Sequence, residues 1–265
     1  MIAYERRKVI LQTLSSKGVV SLKELSAKLD TSEVTIRRDI EKLEAEGKLR
    51  RVQGGAASLE EAEEAELTMK QKLPIRLDAK NRIAAFAASR VQSGETVFLD
   101  AGTTMIPLAM ELMNRNVTIV TYSTMFIGQM VNPTARIILI GGEYLPYYEM
   151  NVGLIAQDQM KQFYFDKAFL GCSGLDLDRG MVCSTEMKSL EMKRLAMQQA
   201  QRCFLLLDSS KFSARGFMRL CETSAFEELI CDSFPGPEEK RPENLIAVDD
   251  SYPEEEKEIK ENEDK

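Results

Sequence analysis

The 265 residues contain no histidine, which excludes Ser-His-Asp and Cys-His nucleophilic arrangements and every histidine-based metal site. Five cysteines, at 172, 183, 203, 221 and 231, are odd in number and include no C-x-x-C pair, so they neither build a disulfide framework nor space zinc ligands. They are expected to be reduced and mostly buried. The groups left to do chemistry are cations, carboxylates, hydroxyls and glycine-bordered main chain. They gather in two regions: TSEVTIRRDIEKLEAEGKLRRVQGG (31–55), and a series of short polar motifs between 100 and 211, beginning with DAGTT.

In the first region, helical periodicity turns Ile36, Ile40 and Leu43 toward a core, so that Val34, Thr35, Arg38 and Lys42 point outward and Arg37 lies on the flank. An outward valine beside an outward arginine suits a DNA major groove, where an apolar group meets a thymine methyl and arginine pairs bidentately with guanine O6 and N7. The hydroxyls of Thr31 and Ser32 at the helix start suit a phosphate. The plainer alternative pairs Arg37 with Glu33 and Glu41 on a solvated face, at roughly 0.2–0.5 kcal/mol per pair. Past Gly47, Lys48–Val52 and the Gly54-Gly55 break read as a short hairpin, or wing, carrying Arg50, Arg51 and Gln53.

In the second region, DAGTT opens a helix. Glycine there allows close approach of the backbone, threonines donate, and a helix N-terminus favours an anion. Lys167, Lys193 and Lys211 could add cations. Carboxylates at Asp100, Asp176, Glu186 and Glu191 could each serve as a general base, although their spacing fixes no catalytic arrangement.

The elements that must position these groups are legible. Three amphipathic stripes, Val9-Ile10-Leu14, Leu22-Leu25-Leu29 and Ile36-Ile40-Leu43, predict three short helices sharing one small core. The tight polar turn at 30–33 between the second and third predicts a helix-turn-helix. A helix is expected over 78–94. Seven apolar runs follow, at 96–100, 117–121, 136–141, 167–171, 203–208, 228–231 and 245–248, separated mainly by helical stretches. That alternation predicts a largely parallel α/β sheet covered on both faces. The small, hydroxylated or charged residues after these strands, Ser123 among them, fall at the carboxyl edge, where open α/β sheets bind ligands.

Charge divides the chain further. Residues 1–58 carry net +4, residues 249–265 net −6, and the whole −7. A basic head on an acidic body fits contact with a polyanion. The expected organisation is a winged helix-turn-helix over 1–58, a linker over 59–77, an α/β effector-sensing domain over 78–248, and a disordered acidic tail over 249–265. No apolar run approaches a membrane span and the N-terminus lacks a signal-peptide core, so a cytoplasmic location is expected.

TIRRDIEKLEAEGKLRRVQGGA closely resembles the DNA-binding signature of the DeoR family of bacterial transcription regulators. VFLDAGTT, ILIGGE, DKAFLGCSGLD, LEMKRLAM and LLDSSKF resemble successive blocks of its sensor domain, so the likeness covers roughly 4–248. It implies a body related in fold to ribose 5-phosphate isomerase and CoA transferases that binds a phosphorylated sugar. It points to Asp100, Gly102, Thr103, Thr104, Gly141, Gly142, Lys167, Gly174, Glu191, Lys193, Asp208, Ser210 and Lys211. Three departures stand out: Gln53 where the family usually has histidine, Tyr122 where it has asparagine, and Ser173 where it has aspartate. The expected function is a repressor of sugar-metabolism genes, needing no cofactor and no metal, with a sugar-phosphate isomerase-like enzyme carrying an accessory DNA-binding head as the alternative. Its expected partners are double-stranded operator DNA, a phosphorylated sugar and a second or further copies of itself, as homodimer or homotetramer, with no membrane.

Overall fold

The computed structural model describes residues 2–17, 19–52, 54–57, 67–214, 216 and 218–248. Gln53, the expected acidic tail and the first part of the expected linker lie outside them.

The three predicted helices are α1 (Ala3–Lys17), α2 (Leu22–Leu29) and α3 (Glu33–Ala45). Their apolar stripes meet in one core that also takes in Val20, Leu49 and Ala56. Ser21 caps α2 by accepting from the Glu24 N–H (3.1 Å), and Ser32 caps α3 by accepting from the Thr35 N–H (3.3 Å), as the sequence implies. Buried Asp39, midway along α3, accepts from Arg6 Nε at 2.7 Å and so ties α1 to α3. The wing forms as β2 (Arg50–Val52) and β3 (Gly55–Ala57). A third strand that no sequence pattern announces, β1 (Val19–Ser21), pairs with β3 in the order β1-β3-β2. Gly55 makes that pairing possible, since a Cβ there would run into the Val20 carbonyl.

The body is a seven-stranded, all-parallel sheet. Its strands are β4 (Thr96–Leu99), β5 (Thr118–Thr121), β6 (Arg136–Leu139), β9 (Phe165–Gly171), β12 (Ala200–Leu207), β14 (Glu228–Cys231) and β15 (Leu245–Ala247), in the order β15-β14-β12-β9-β4-β5-β6. Each of the seven apolar runs supplies one strand. Both faces are buried: Val97, Leu99, Phe169, Phe204 and Leu206 face one apolar layer, and Phe98, Ala168, Leu170, Leu205 and Leu207 the other. Helices α5 (Leu77–Ser89) and α6 (Met105–Leu112) cover the first face. The second is covered by α7 (Leu154–Met160), α8 (Met187–Gln199) and two small antiparallel sheets. These are the hairpin β7 (Glu143–Leu145) with β8 (Met150–Val152), and β10 (Gly174–Asp176), β11 (Met181–Ser184) and β13 (Met218–Glu222).

The later part of the expected linker belongs to the body. Residues 69–72 form a short helix, α4 (Met69–Lys72), with a complete capping box between Thr68 and Gln71. Met69 and Leu73 pack against the α5/α6 layer. Apolar side chains at this spacing are too few to register as a stripe in the sequence, which is why the stretch reads as linker.

Candidate functional site

On α3, Ile36, Ile40 and Leu43 are buried, while Val34 (63% exposed), Arg37, Arg38 and Lys42 project to solvent. Thr35 is half-buried, and its hydroxyl lies 3.0 Å from Ser32 Oγ. Thr31 closes the preceding turn, its N–H donating to Ser26 O and its carbonyl accepting from Ser26 Oγ. Arg37 and Arg38 pair with no carboxylate among the described residues, so the solvated Glu33/Glu41 pairing does not form. Glu41 and Glu44 are instead taken by Arg51 of the wing, at 3.1 and 3.0 Å. Arg51 thus braces the wing against α3, whereas Arg37, Arg38 and Lys42 remain presented outward. Gln53 lies outside the described residues.

A cleft opens at the carboxyl edge of the sheet. Its floor and walls include Asp100 and Gly102–Thr104 after β4, Cys172 and Ser173 after β9, Ser189 and Lys193 of α8, and Asp208 and Lys211 after β12. Four lysines line it (72, 80, 193 and 211) against three carboxylates (Asp100, Glu186 and Asp208). At the start of α6, Met105 and Ile106 donate to the carbonyls of Gly102 and Thr103. The N–H groups of Gly102, Thr103 and Thr104 donate to nothing among the described residues, leaving three main-chain donors at the cleft. Such donors beside lysines make an anion site.

Beneath them lies a buried polar knot. Lys193 Nζ donates to Asp100 Oδ2 and to the Gly171 carbonyl (3.0 Å), the Gly171 N–H donates to Asp100 Oδ2 (2.9 Å), and the Tyr122 hydroxyl donates to Asp100 Oδ1. Tyr122 is fully buried, and its phenol is held well above the ordinary value by burial first, then by the Asp100 charge. At Asp208, burial alone would raise the carboxyl, but Lys211, the Ser210 hydroxyl and Arg76 outweigh it and hold it below the ordinary value. Burial pushes the Cys172 thiol up to about 12, so it stays a thiol rather than a nucleophile.

Of the residues anticipated for the effector, the structure brings Asp100, Gly102, Thr103, Thr104, Lys193, Asp208 and Lys211 to the cleft. Seven others line no part of it, Ser210 among them, its hydroxyl donating to Asp208 Oδ1. Lys167 is corrected outright: it is 1% exposed, its ammonium lies 2.5 Å from both Glu95 oxygens, and it sits near the start of β9, toward the opposite edge of the sheet. Glu191 pairs with Arg194 (3.0 Å) on an exposed face of α8. Ser123 is buried beside Thr121, the Gly141 N–H is taken by Gln159 Oε1 (2.9 Å), Gly142 packs against Val152 and Ala156, and Gly174 pairs with Cys183. Lys72, Lys80, Tyr147 and Tyr148 also form the cleft wall, unanticipated because they come from a short helix, a helix start and a hairpin turn rather than from strand ends.

The carboxylates considered as a general base are otherwise occupied. Both Asp100 oxygens are bonded, Glu186 caps α8 through the Ser189 N–H (2.5 Å), and Asp176 accepts from the Asp178 N–H (3.1 Å) on β10. Among the described residues no cluster of His, Cys, Asp or Glu could hold a metal ion, and no helix is long and apolar enough to cross a membrane.

A winged helix-turn-helix with an outward arginine pair, joined to a parallel α/β body with a cleft at its carboxyl edge, defines a DNA-binding transcriptional regulator. The profile described as "DeoR-like helix-turn-helix domain" matches residues 6–62, and that described as "DeoR C terminal sensor domain" matches 75–233. The chain belongs to the DeoR family. Relatives include a Bacillus subtilis protein called an uncharacterized HTH-type transcriptional regulator, YulB, 32% identical over 88% of this chain and 90% of its own. The lactose phosphotransferase system repressor of Lactococcus lactis is 32% identical over 88% and 92%. Among solved structures, ribose 5-phosphate isomerase A of Methanocaldococcus jannaschii overlaps distantly, at TM-score 0.38 and 16% identity over 51% of this chain and 54% of that one.

Proposed function

We propose that this protein is a repressor whose hold on operator DNA is released by a phosphorylated sugar bound in the cleft at the carboxyl edge of the sheet. The observation that carries the reading is the set of three main-chain N–H donors at Gly102–Thr104 beside Lys193 and Lys211, the composition a phosphate monoester requires. The sugar end would meet hydroxyls, since Ser173 and Thr185 face each other at 3.0 Å. A relative named as a lactose phosphotransferase system repressor supports both the direction of control and the sugar-derived signal.

On the DNA side, α3 enters the major groove with Arg38, Val34 and Arg37 at base edges, while Lys42, Arg50 and the Thr31–Ser32 turn meet phosphates. Reading a two-fold operator calls for an even number of copies, a homodimer or homotetramer. The test is a thermal-shift panel on the full chain, comparing phosphorylated sugars with their unphosphorylated counterparts at matched ionic strength. A ligand at about 100 times its Kd adds about 2.7 kcal/mol of stability. A shift given by one sugar phosphate and not by its parent sugar supports the reading; a broad panel with no shift removes it.

A further inference from the structure

The short helix α4 is the first described helix after the DNA-binding head, and the groups that fasten it to the body belong to the cleft or adjoin it. Lys80 is 4% exposed and lines the cleft, and its ammonium donates to the carbonyls of Lys72 (2.8 Å) and Leu73 (3.4 Å) at the C-terminal end of α4. The Met69 N–H donates to the carbonyl of Tyr147 (3.3 Å). Tyr147 packs edge-on against Tyr148 with centroids 4.9 Å apart, and both rings form cleft wall.

Next to that turn, Lys70 Nζ lies 2.7 Å from Glu149 Oε1, and Glu149 also accepts from the hydroxyls of Tyr144 (2.9 Å) and Thr124 (3.1 Å). Glu149 holds φ +51, a left-handed conformation that costs a side-chain-bearing residue free energy and persists because its surroundings impose it. Four residues after α4, Arg76 also adopts a left-handed conformation (φ +52), and its Nε stands 3.9 Å from Asp208 Oδ1 at the cleft rim.

From this geometry we infer that α4 is the coupling element between ligand and DNA, with Lys80 as a ligand-contacting residue and the Tyr147–Glu149 turn as the second arm of the clasp. This rests on the reading of the cleft as an anion site. An anion beside Lys193 and Lys211 competes with the α4 carbonyls for the Lys80 ammonium and with Asp208 for Arg76. Both exchanges loosen the same segment, so occupancy of the cleft and docking of α4 oppose each other. The docked arrangement is then the DNA-competent one, and a ligand shifts the population away from it by its differential affinity for the two states.

The experiment uses the full chain and operator DNA selected by the protein from a random pool. Hydrogen exchange of residues 67–76 and operator affinity are read together. Without any ligand, the double variant Met69→Ser/Lys70→Ala and, separately, Glu149→Gln should speed exchange in 67–76, and the double variant should lower operator affinity by about fivefold or more. Unchanged exchange in both, or faster exchange with affinity within about twofold of the parent, overturns the inference. In the second arm the probes are inorganic phosphate and glucose 6-phosphate. A probe that raises the melting temperature should also speed exchange in 67–76 in the parent, and Lys80→Met should abolish that change at saturating probe. A probe that stabilises the protein while leaving 67–76 unaltered overturns the coupling and leaves the sensor reading standing. If no sugar phosphate stabilises the protein, the sensor reading fails instead, and the ligand-free arm still decides whether α4 sets the head.

Discussion

The Tyr122 hydroxyl donates to Asp100 Oδ1 in a site with no solvent access to either residue. Lys193 and the Gly171 N–H hold the other oxygen, so the Asp100 charge is compensated from two sides. The carboxylate is better understood as the part that fixes Lys193 and the end of β9 beneath the cleft than as a group offered to a ligand. Replacing Tyr122 by phenylalanine leaves Oδ1 buried without its donor. The expected cost is about 1–3 kcal/mol, measured as a lower urea midpoint with an unchanged m-value. A midpoint equal to the parent's means that the hydroxyl contributes nothing.

Two lysines that look alike in the sequence separate in the structure. Lys167 follows the start of β9 and has four further strand residues to run before the carboxyl edge, about 13 Å at 3.3 Å per residue. It therefore meets Glu95 near the far edge, while Lys193 reaches the cleft from α8. Removing one member of a buried ion pair strands the other, at about 3 kcal/mol. Both Lys167→Met and Lys193→Met should destabilise the chain. Lys193→Met alone should weaken the response to the stabilising sugar phosphate, judged by the melting shift of each variant relative to its own ligand-free state. Equal loss of response in both variants would place Lys167 back in the binding machinery.

The strand that contains Lys167 illustrates what the sequence could and could not disclose. The inner strands of the parallel sheet were visible because a strand buried on both faces must be apolar at consecutive positions, as Phe204–Leu207 and Leu229–Cys231 are, and the edge strand β6, though half exposed, shows the same kind of apolar run. The small antiparallel strands were missed because each is short and buries at most two apolar residues, Leu175 in β10 and Leu220 in β13 being typical. Strand β1 was missed for a related reason: Val19–Ser21 is three residues long and exists only because Gly55 lets β3 approach. The same limit governs the cleft. Gly102–Thr104 and Lys211 directly follow strands and could be placed at the edge from order alone. Lys80 and Tyr147 reach it only through tertiary packing.

Four cysteine thiols, two of them buried and two half-buried, predict a pH dependence. Burial raises Cys172, Cys221 and Cys231 to about 12 and Cys203 to about 11, from an ordinary 9.0. In the unfolded chain these thiols lose their protons near the ordinary value, so above it the unfolded state binds fewer protons than the folded one. Stability is therefore fully present below about pH 9 and falls as pH rises toward the folded values. Tyr122, raised from 10.0, adds to the same trend from pH 10 upward. Urea midpoints should drop between about pH 9 and pH 11, and the drop should be shallower in Cys221→Ala/Cys231→Ala than in the parent. Identical slopes would mean that these two thiols titrate in the folded chain as they do in the unfolded one.

The recognition face gives the sharpest division of roles. Arg38 and Lys42 both project from α3 and neither pairs with a carboxylate among the described residues, so removing either should leave the fold almost untouched. Their positions differ, however: Arg38 sits beside exposed Val34 near the N-terminal end of the helix, and Lys42 lies in its last turn. A base-reading arginine carries discrimination, at about 1–3 kcal/mol per bidentate pair, whereas a phosphate-contacting lysine carries charge alone. Arg38→Ala should therefore abolish discrimination between operator and random duplex while weak, salt-sensitive binding persists. Lys42→Ala should weaken both complexes alike and reduce the slope of log K against log salt by about 0.9. Anisotropy titrations at several salt concentrations separate the two. Sequence discrimination unaltered in Arg38→Ala would remove that arginine from base readout and shift the reading of the groove to Arg37 and Val34.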